Sequence, residues 1–334
     1  HISEKNIEFY FKTASNLDAV SELIRELQYI RKKLRLNDWG YYKLAELAAR
    51  SVEKSGYRQT LLAWVVMLKS GFNVKTGFTD DEIFLMLPAR EEIFSSYYLT
   101  IDGIPYYIQT DREKNKPLPR LHVHKADYPG DIPISMRLND IPLLGNNHME
   151  KNFPFMGDTT GISLNKWLMD FYSEYPHCDL SVYFSAPLSA EMVQSLDVYF
   201  KPKLTGKTEK QKVAFLLDFV QDAFAYKTDG DQFGIEKYFF PDELFYYPFS
   251  DCEDRSVLFA RLVTRYTGYD CIGLDFPGHV NTAVHFPEET GDGFFVRFNN
   301  KKYLVCDPTY VGAPVGYLDK RYEKYNPKII TFTK

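Results

Sequence analysis

The chain is poor in the residues that build metal and nucleic-acid sites. Only four of its 334 residues are cysteine: Cys178, Cys252, Cys271 and Cys306. No Cys-x-x-Cys pair occurs among them, so the spacing that zinc ligands require is absent. His122-Val123-His124 would put two imidazoles on one strand face, but no third ligand stands in register with them. Basic runs are scarce. Lys and Arg number 40 against 45 Asp and Glu, giving a net charge of -5 and a pI near 5.9. That balance excludes a broad nucleic-acid-binding face, and Arg31-Lys32-Lys33-Leu34-Arg35 reads as the solvated end of a helix. No apolar run approaches the roughly 20 residues that cross a bilayer. A chain that opens His1-Ile2-Ser3 reads as a trimmed product. Two compartments are therefore expected: outside the cytoplasm, as in a periplasm, with a leader removed, or the cytoplasm itself.

Apolar and aromatic residues are plentiful. The chain is 45% hydrophobic and 25% charged, with 25 Tyr and 26 Phe. Such a composition buries a substantial core, and the length predicts two domains. Apolar residues at helical spacing predict helices over Leu17–Leu36, Tyr41–Lys54 and Arg58–Lys69. Strands are expected at Glu82–Leu87, Tyr97–Ile101 and Tyr106–Gln109, with Asp102-Gly103 as a hairpin turn. Residues 111–130, rich in charge and proline, read as a loop. The Gly/Asn-rich stretch 146–161 reads as the domain boundary, dividing the chain into 1–150 and 151–334. Leu180–Ser185 reads as a strand, and Ser189 as the start of a helix. Thr208 with Gln211 forms a capping box for a helix through Phe224.

The chemistry concentrates further on. Ser250 followed by Glu253 is a second capping-box pattern, making Ser250 the N-cap and Cys252 the second residue of a helix that closes at Gly268. A thiol there faces unpaired N–H groups and the positive end of the helix dipole, which favour thiolate, while Asp251, Glu253 and Asp254 oppose it. A nearby imidazolium would tip the balance. His279 follows Pro277-Gly278 and opens a strand, whereas His285 lies at that strand's far end. Asp307 ends the strand Lys302–Cys306 before Pro308 and could accept the second imidazole N–H. Thiol, imidazole and carboxylate are the groups that nucleophilic acyl transfer uses. The backbone N–H of Cys252 would be one oxyanion donor, with Gln232 and Tyr247 as candidates for the second. Most of the aromatic clusters, Phe239-Phe240 and Phe245-Tyr246-Tyr247 among them, are expected to pack the core.

Ser-Asp-Cys-Glu-Asp-Arg-Ser before a helix, Gly-His at a strand start, and Cys-Asp-Pro-Thr-Tyr after the next strand together resemble the transglutaminase-like superfamily. The similarity is to its bacterial members described as cysteine proteases, and it covers Thr208 to Tyr310. It implies an α+β protein whose C-terminal core is papain- or transglutaminase-like, a Cys-bearing helix packed on antiparallel sheet. In it Cys252 would be nucleophile, His279 base and acid, and Asp307 orienter. The implied activity is hydrolysis of peptide or carboxamide bonds without a cofactor. Amine acyl transfer and a silent binding or scaffold protein of the cell envelope are the alternatives. The expected partners are proteins, peptides or other amide-bearing substrates. Many relatives have His-Ala-Trp at the histidine, whereas this chain has His279-Val280-Asn281. No acidic loop has calcium-ligand spacing, so the calcium dependence of some animal relatives is not carried over.

A weak internal repeat accompanies this. An offset of 197 residues aligns Arg58 with Arg255, Leu61 with Leu258, Ala63 with Ala260, Val66 with Val263, Gly71 with Gly268 and Tyr106 with Tyr303. It sets Ser55 opposite Cys252, Glu82 opposite His279 and Thr110 opposite Asp307. The N-terminal α+β domain is thus expected to be a degenerate, non-catalytic copy, an idea that different strand orders in the two halves would end.

Overall fold

The computed structural model describes residues 2–110, 118, 120–124, 128, 130–155, 158–287 and 292–332. They form an α+β protein of two units: His1–Leu143 with Pro176–Asp179, and Leu144–Tyr175 with Leu180–Lys334.

The first unit begins with four helices, α1 (Glu4–Ser15), α2 (Asp18–Lys33), α3 (Asp38–Val52) and α4 (Gly56–Lys69). Only Leu27 of α2 is buried, and Arg31, Lys32 and Lys33 fill its last turn, where cations complement the dipole. In α4 every residue from Leu61 to Leu68 is buried, as expected for a helix that is apolar all round. It packs on α3 and on a sheet built from β1 (Lys75–Phe78), β2 (Ile83–Pro88), β3 (Tyr98–Ile101), β4 (Ile104–Ile108) and β5 (His122–Val123). The strand order is β3-β4-β2-β1-β5, antiparallel throughout.

The second unit starts with a hairpin of β6 (His148–Phe155) and β7 (Asp158–Asn165). Next come α5 (Lys166–Ser173), α6 (Leu180–Ser185), α7 (Ala190–Leu204) and α8 (Glu209–Ala223). Short pieces β8 (Ala225–Tyr226), α9 (Asp229–Gln232), α10 (Glu243–Tyr246) and β9 (Phe249–Ser250) lead into α11 (Cys252–Thr267). The chain finishes with β10 (Cys271–Phe276), β11 (His279–His285), β12 (Phe295–Phe298), β13 (Lys301–Cys306) and β14 (Lys328–Ile330), in the order β12-β13-β11-β10-β14. Helix α11 packs on α8, β10 and β11.

The two sheets therefore have the same strand order, and they also share their register. Lys75 pairs with Met86 as Ile272 pairs with Ala283, 197 residues later. Met86 pairs with Ile108 as Ala283 pairs with Val305, and Tyr98 with Tyr107 as Phe295 with Leu304. Even the hairpin turns agree. Asp102-Gly103 and Asn299-Asn300 all have positive φ, the two-residue turn that matches strand twist. A one-residue slip would turn every inward side chain outward, so identical register across four strands is a demanding coincidence of geometry. The buried clusters correspond in part: Met86, Tyr106 and Ile108 occupy the places of Ala283, Tyr303 and Val305, while Phe84 stands where the second unit has the buried polar Asn281.

Several expectations are corrected. Leu180–Ser185 is helix, because Leu180, Val182, Tyr183 and Phe184 are buried around a single turn and a half. The division falls at Leu143/Leu144, not after residue 150, and 176–179 returns to the first unit. Most of residues 146–161, expected to mark the boundary, lie in the β6–β7 hairpin inside the second unit. Helix α1 had no counterpart in the sequence reading. Of the loop expected at 111–130, residues 111–117, 119, 125–127 and 129 lie outside the described residues, and His122–Val123 forms β5. Among the described residues, no helix is long and apolar enough to cross a membrane.

Candidate functional site

Helix α11 starts one residue later than the capping pattern predicts. Asp251 is its N-cap and Cys252 its first residue. The Asp254 carboxylate accepts the Asp251 N–H at 3.2 Å, doing what Glu253 was expected to do for Ser250. Ser250 instead accepts from Arg255, a fully buried cation whose guanidinium also donates to the Phe224 and Gln221 carbonyls. Arg255 thus ties the start of α11 to the end of α8.

Opposite this helix start, Pro277-Gly278 turns the chain from β10 into β11, with Gly278 at φ 74° as a Pro-Gly turn of type II requires. The turn delivers His279 to the first position of β11. Its Nε2 lies 2.7 Å from Asp307 Oδ2, and Asp307 Oδ1 accepts the Thr309 N–H at 3.0 Å. Asp307 is completely buried and His279 nearly so. The imidazole stacks on Tyr322, ring centroids 5.0 Å apart at 20°, with the Tyr310 ring edge-on at 6.4 Å. With Nε2 committed to Asp307, Nδ1 is the nitrogen left to act on a thiol. Cys252 Sγ is beside the same strand start, 3.4 Å from the Val280 N. His285 binds the Lys302 carbonyl at the strand's other end.

The thiol's other contact is with Glu253, whose Oε2 accepts from Sγ at 3.0 Å. Burial raises the thiol pKa well above its ordinary value, and the Glu253 and Asp251 carboxylates add to this. The Val280 N–H works in the opposite direction. Burial and the neighbouring carboxylates thus favour the protonated thiol. Behind it, the carboxyl oxygens of Asp229, Asp251 and Glu253 lie within 4.8 Å of one another, all buried. Burial and then mutual repulsion push Asp229 up to about 7 and Glu253 up to about 9. Among the described residues this is the one convergent set of ligand-type atoms, and its oxygens suit a shared proton or a hard cation. His122 lies against Phe78 and His124 against Trp64, so that pair packs on aromatic rings.

Glu253→Gln should make Cys252 more acidic by removing the charge that faces Sγ. The midpoint of its iodoacetamide alkylation profile is expected to move down by about one pH unit, or ~10-fold in rate near pH 9. An unchanged profile would show that Glu253 does not hold the proton on sulfur.

The oxyanion candidates separate. Gln232, on α9 beside Asp229, has a buried Nε2 without a hydrogen-bond partner. Tyr247 stacks on Phe239 at 4.7 Å and meets Phe233 edge-on, so its ring serves packing. Sequence reasoning missed the Val280 N–H, the Tyr322 stack and Gln221, which holds the loop after Asp307. Only Gln221 left a signal: a polar residue inside the stripe Leu217, Val220, Phe224. Comparison with protein-family models, with curated proteins and with solved structures finds no match to this chain.

Proposed function

We propose that the second unit is a transglutaminase-like acyl-transfer enzyme that hydrolyses peptide or carboxamide bonds through Cys252, His279 and Asp307. The observation that carries this reading is the buried 2.7 Å contact between His279 Nε2 and Asp307, made at the strand start whose next N–H reaches Cys252 Sγ. Asp307 keeps the proton on Nε2, so Nδ1 is free to take the thiol proton as sulfur attacks the carbonyl carbon. The negative oxygen that forms is met by the Cys252 N–H, which a helix start leaves without an intrahelical acceptor, and by Gln232. Collapse breaks the C–N bond, and the imidazolium protonates the leaving amine. Water, deprotonated by the same ring, then cleaves the thioester and restores the thiol. A site that favours the protonated thiol fits a mechanism in which proton transfer accompanies attack.

A peptide vinyl sulfone tests this, since its addition needs both an activated sulfur and a proton donor. The native chain is expected to be labelled at Cys252 alone, and Cys252→Ala and His279→Ala not at all. Equal labelling of all three chains would remove the proposal.

A further inference from the structure

We propose that Gln221 is a positioning residue for the reaction, clamping the loop that carries Asp307. The inference rests on the triad reading above. Gln221 lies on α8, 2% exposed. Its Nε2 donates to the Asp307 carbonyl at 2.9 Å and to the Ala313 carbonyl at 3.0 Å, while Oε1 accepts the Gly312 N–H at 2.9 Å. One planar amide therefore binds both ends of the segment 307–313, which is irregular and has no ladder partners of its own. All its donors and its acceptor are used, and its own carbonyl accepts from Arg255, the residue that anchors the start of α11. The nucleophile helix and the carboxylate loop are thus referred to the same point on α8.

The first unit shows the same strand order. There α3 packs on α4 as α8 packs on α11. A cavity of about 450 Å³ is bounded in part by Gln59, Ala63, Leu85, Gln109 and Thr110. Under the 197-residue offset these stand where Ser256, Ala260, Thr282, Cys306 and Asp307 stand in the second unit.

Without the clamp Asp307 can leave Nε2, and the imidazole then samples both tautomers. Vinyl sulfone labelling of Cys252 is expected to slow by about 10- to 100-fold in Gln221→Met, the range for losing a partner that orients a functional side chain. The His279 ring nitrogens, followed by ¹⁵N NMR, should change from one tautomer to an average. Gln221→Glu keeps the Gly312 bond and loses both bonds to carbonyls, so the same losses are expected and either folded variant decides. Val213→Ala, a buried truncation on the same helix, should leave labelling within twofold and the tautomer fixed. Native labelling with unaltered rates and tautomer in the Gln221 variants overturns the clamp alone. A native chain that is not labelled overturns the triad reading and the clamp with it.

Discussion

Asp307→Asn is expected to lower kcat on an amide substrate by about 10⁴, with KM changed only a few-fold. The size follows from how the two carboxylate oxygens are used. Oδ1 accepts the Thr309 N–H, so an asparagine would set its carbonyl oxygen there and turn its NH₂ toward His279. An NH₂ group facing Nε2 forces the ring proton onto Nδ1, the atom that must accept the thiol proton. The base is then present, in place and in the wrong tautomer. Shape and burial hardly change, so thermal unfolding should move little. Steady-state kinetics with a fluorogenic peptide amide reads the effect, and ¹⁵N NMR of His279 reads its cause. A loss of less than tenfold would mean that Asp307 only packs against the ring.

The parts of this site that lie close in sequence were legible before the structure. Cys252 announces itself by a helix start, His279 by the Pro-Gly turn, and Asp307 by the strand-ending Pro308. Local chemistry writes each of these signals. The 197-residue offset was legible only faintly, because apolar residues exchange freely within a packed core, and Ile108 can stand where Val305 does. What preserves the relation is backbone pairing. Turn chemistry at Asp102-Gly103 and Asn299-Asn300 fixes the register, although the two turns share no residue type beyond a tolerance for positive φ. Contacts that cross long stretches of chain were not legible. Gln221 reaches Asp307 over 86 residues, and nothing in either neighbourhood names the other. The N-cap was misplaced for a related reason. Ser-x-x-Glu and Asp-x-x-Asp overlap by one residue here, and the choice between them was made by Arg255, which takes Ser250 for itself. Leu180–Ser185 failed because six apolar residues carry too little period to separate a strand from a buried turn of helix.

Buried carboxyl groups give the second unit an unusual dependence on pH, and Asp242 is the cleanest place to measure it. It is 1% exposed, and among the described residues its two oxygens accept from Ser189, whose N lies 3.3 Å from each. Burial is the main cause of a pKa raised to about 7, with Glu191 and Glu243 adding repulsion and Ser189 opposing it. Glu243 has Lys237 as a partner at 2.8 Å, whereas among the described residues no ion pair reaches Asp242. Because the folded chain holds this proton more tightly than the unfolded chain, the associated stability is fully present below about pH 4. It disappears as pH rises through about 7. Roughly three pH units of difference correspond to about 4 kcal/mol. Asp242→Asn keeps an acceptor for Ser189 and has no proton to lose. Between pH 5 and pH 8 about two of those three units are crossed, so urea unfolding should show native stability falling by ~2.7 kcal/mol more than that of the variant. Taking the difference between the chains cancels the same-signed effects of Asp229 and Glu253, which titrate in both. Equal pH dependence in the two chains would mean that Asp242 is ionised in the folded protein, and that its burial is compensated by a group other than Ser189.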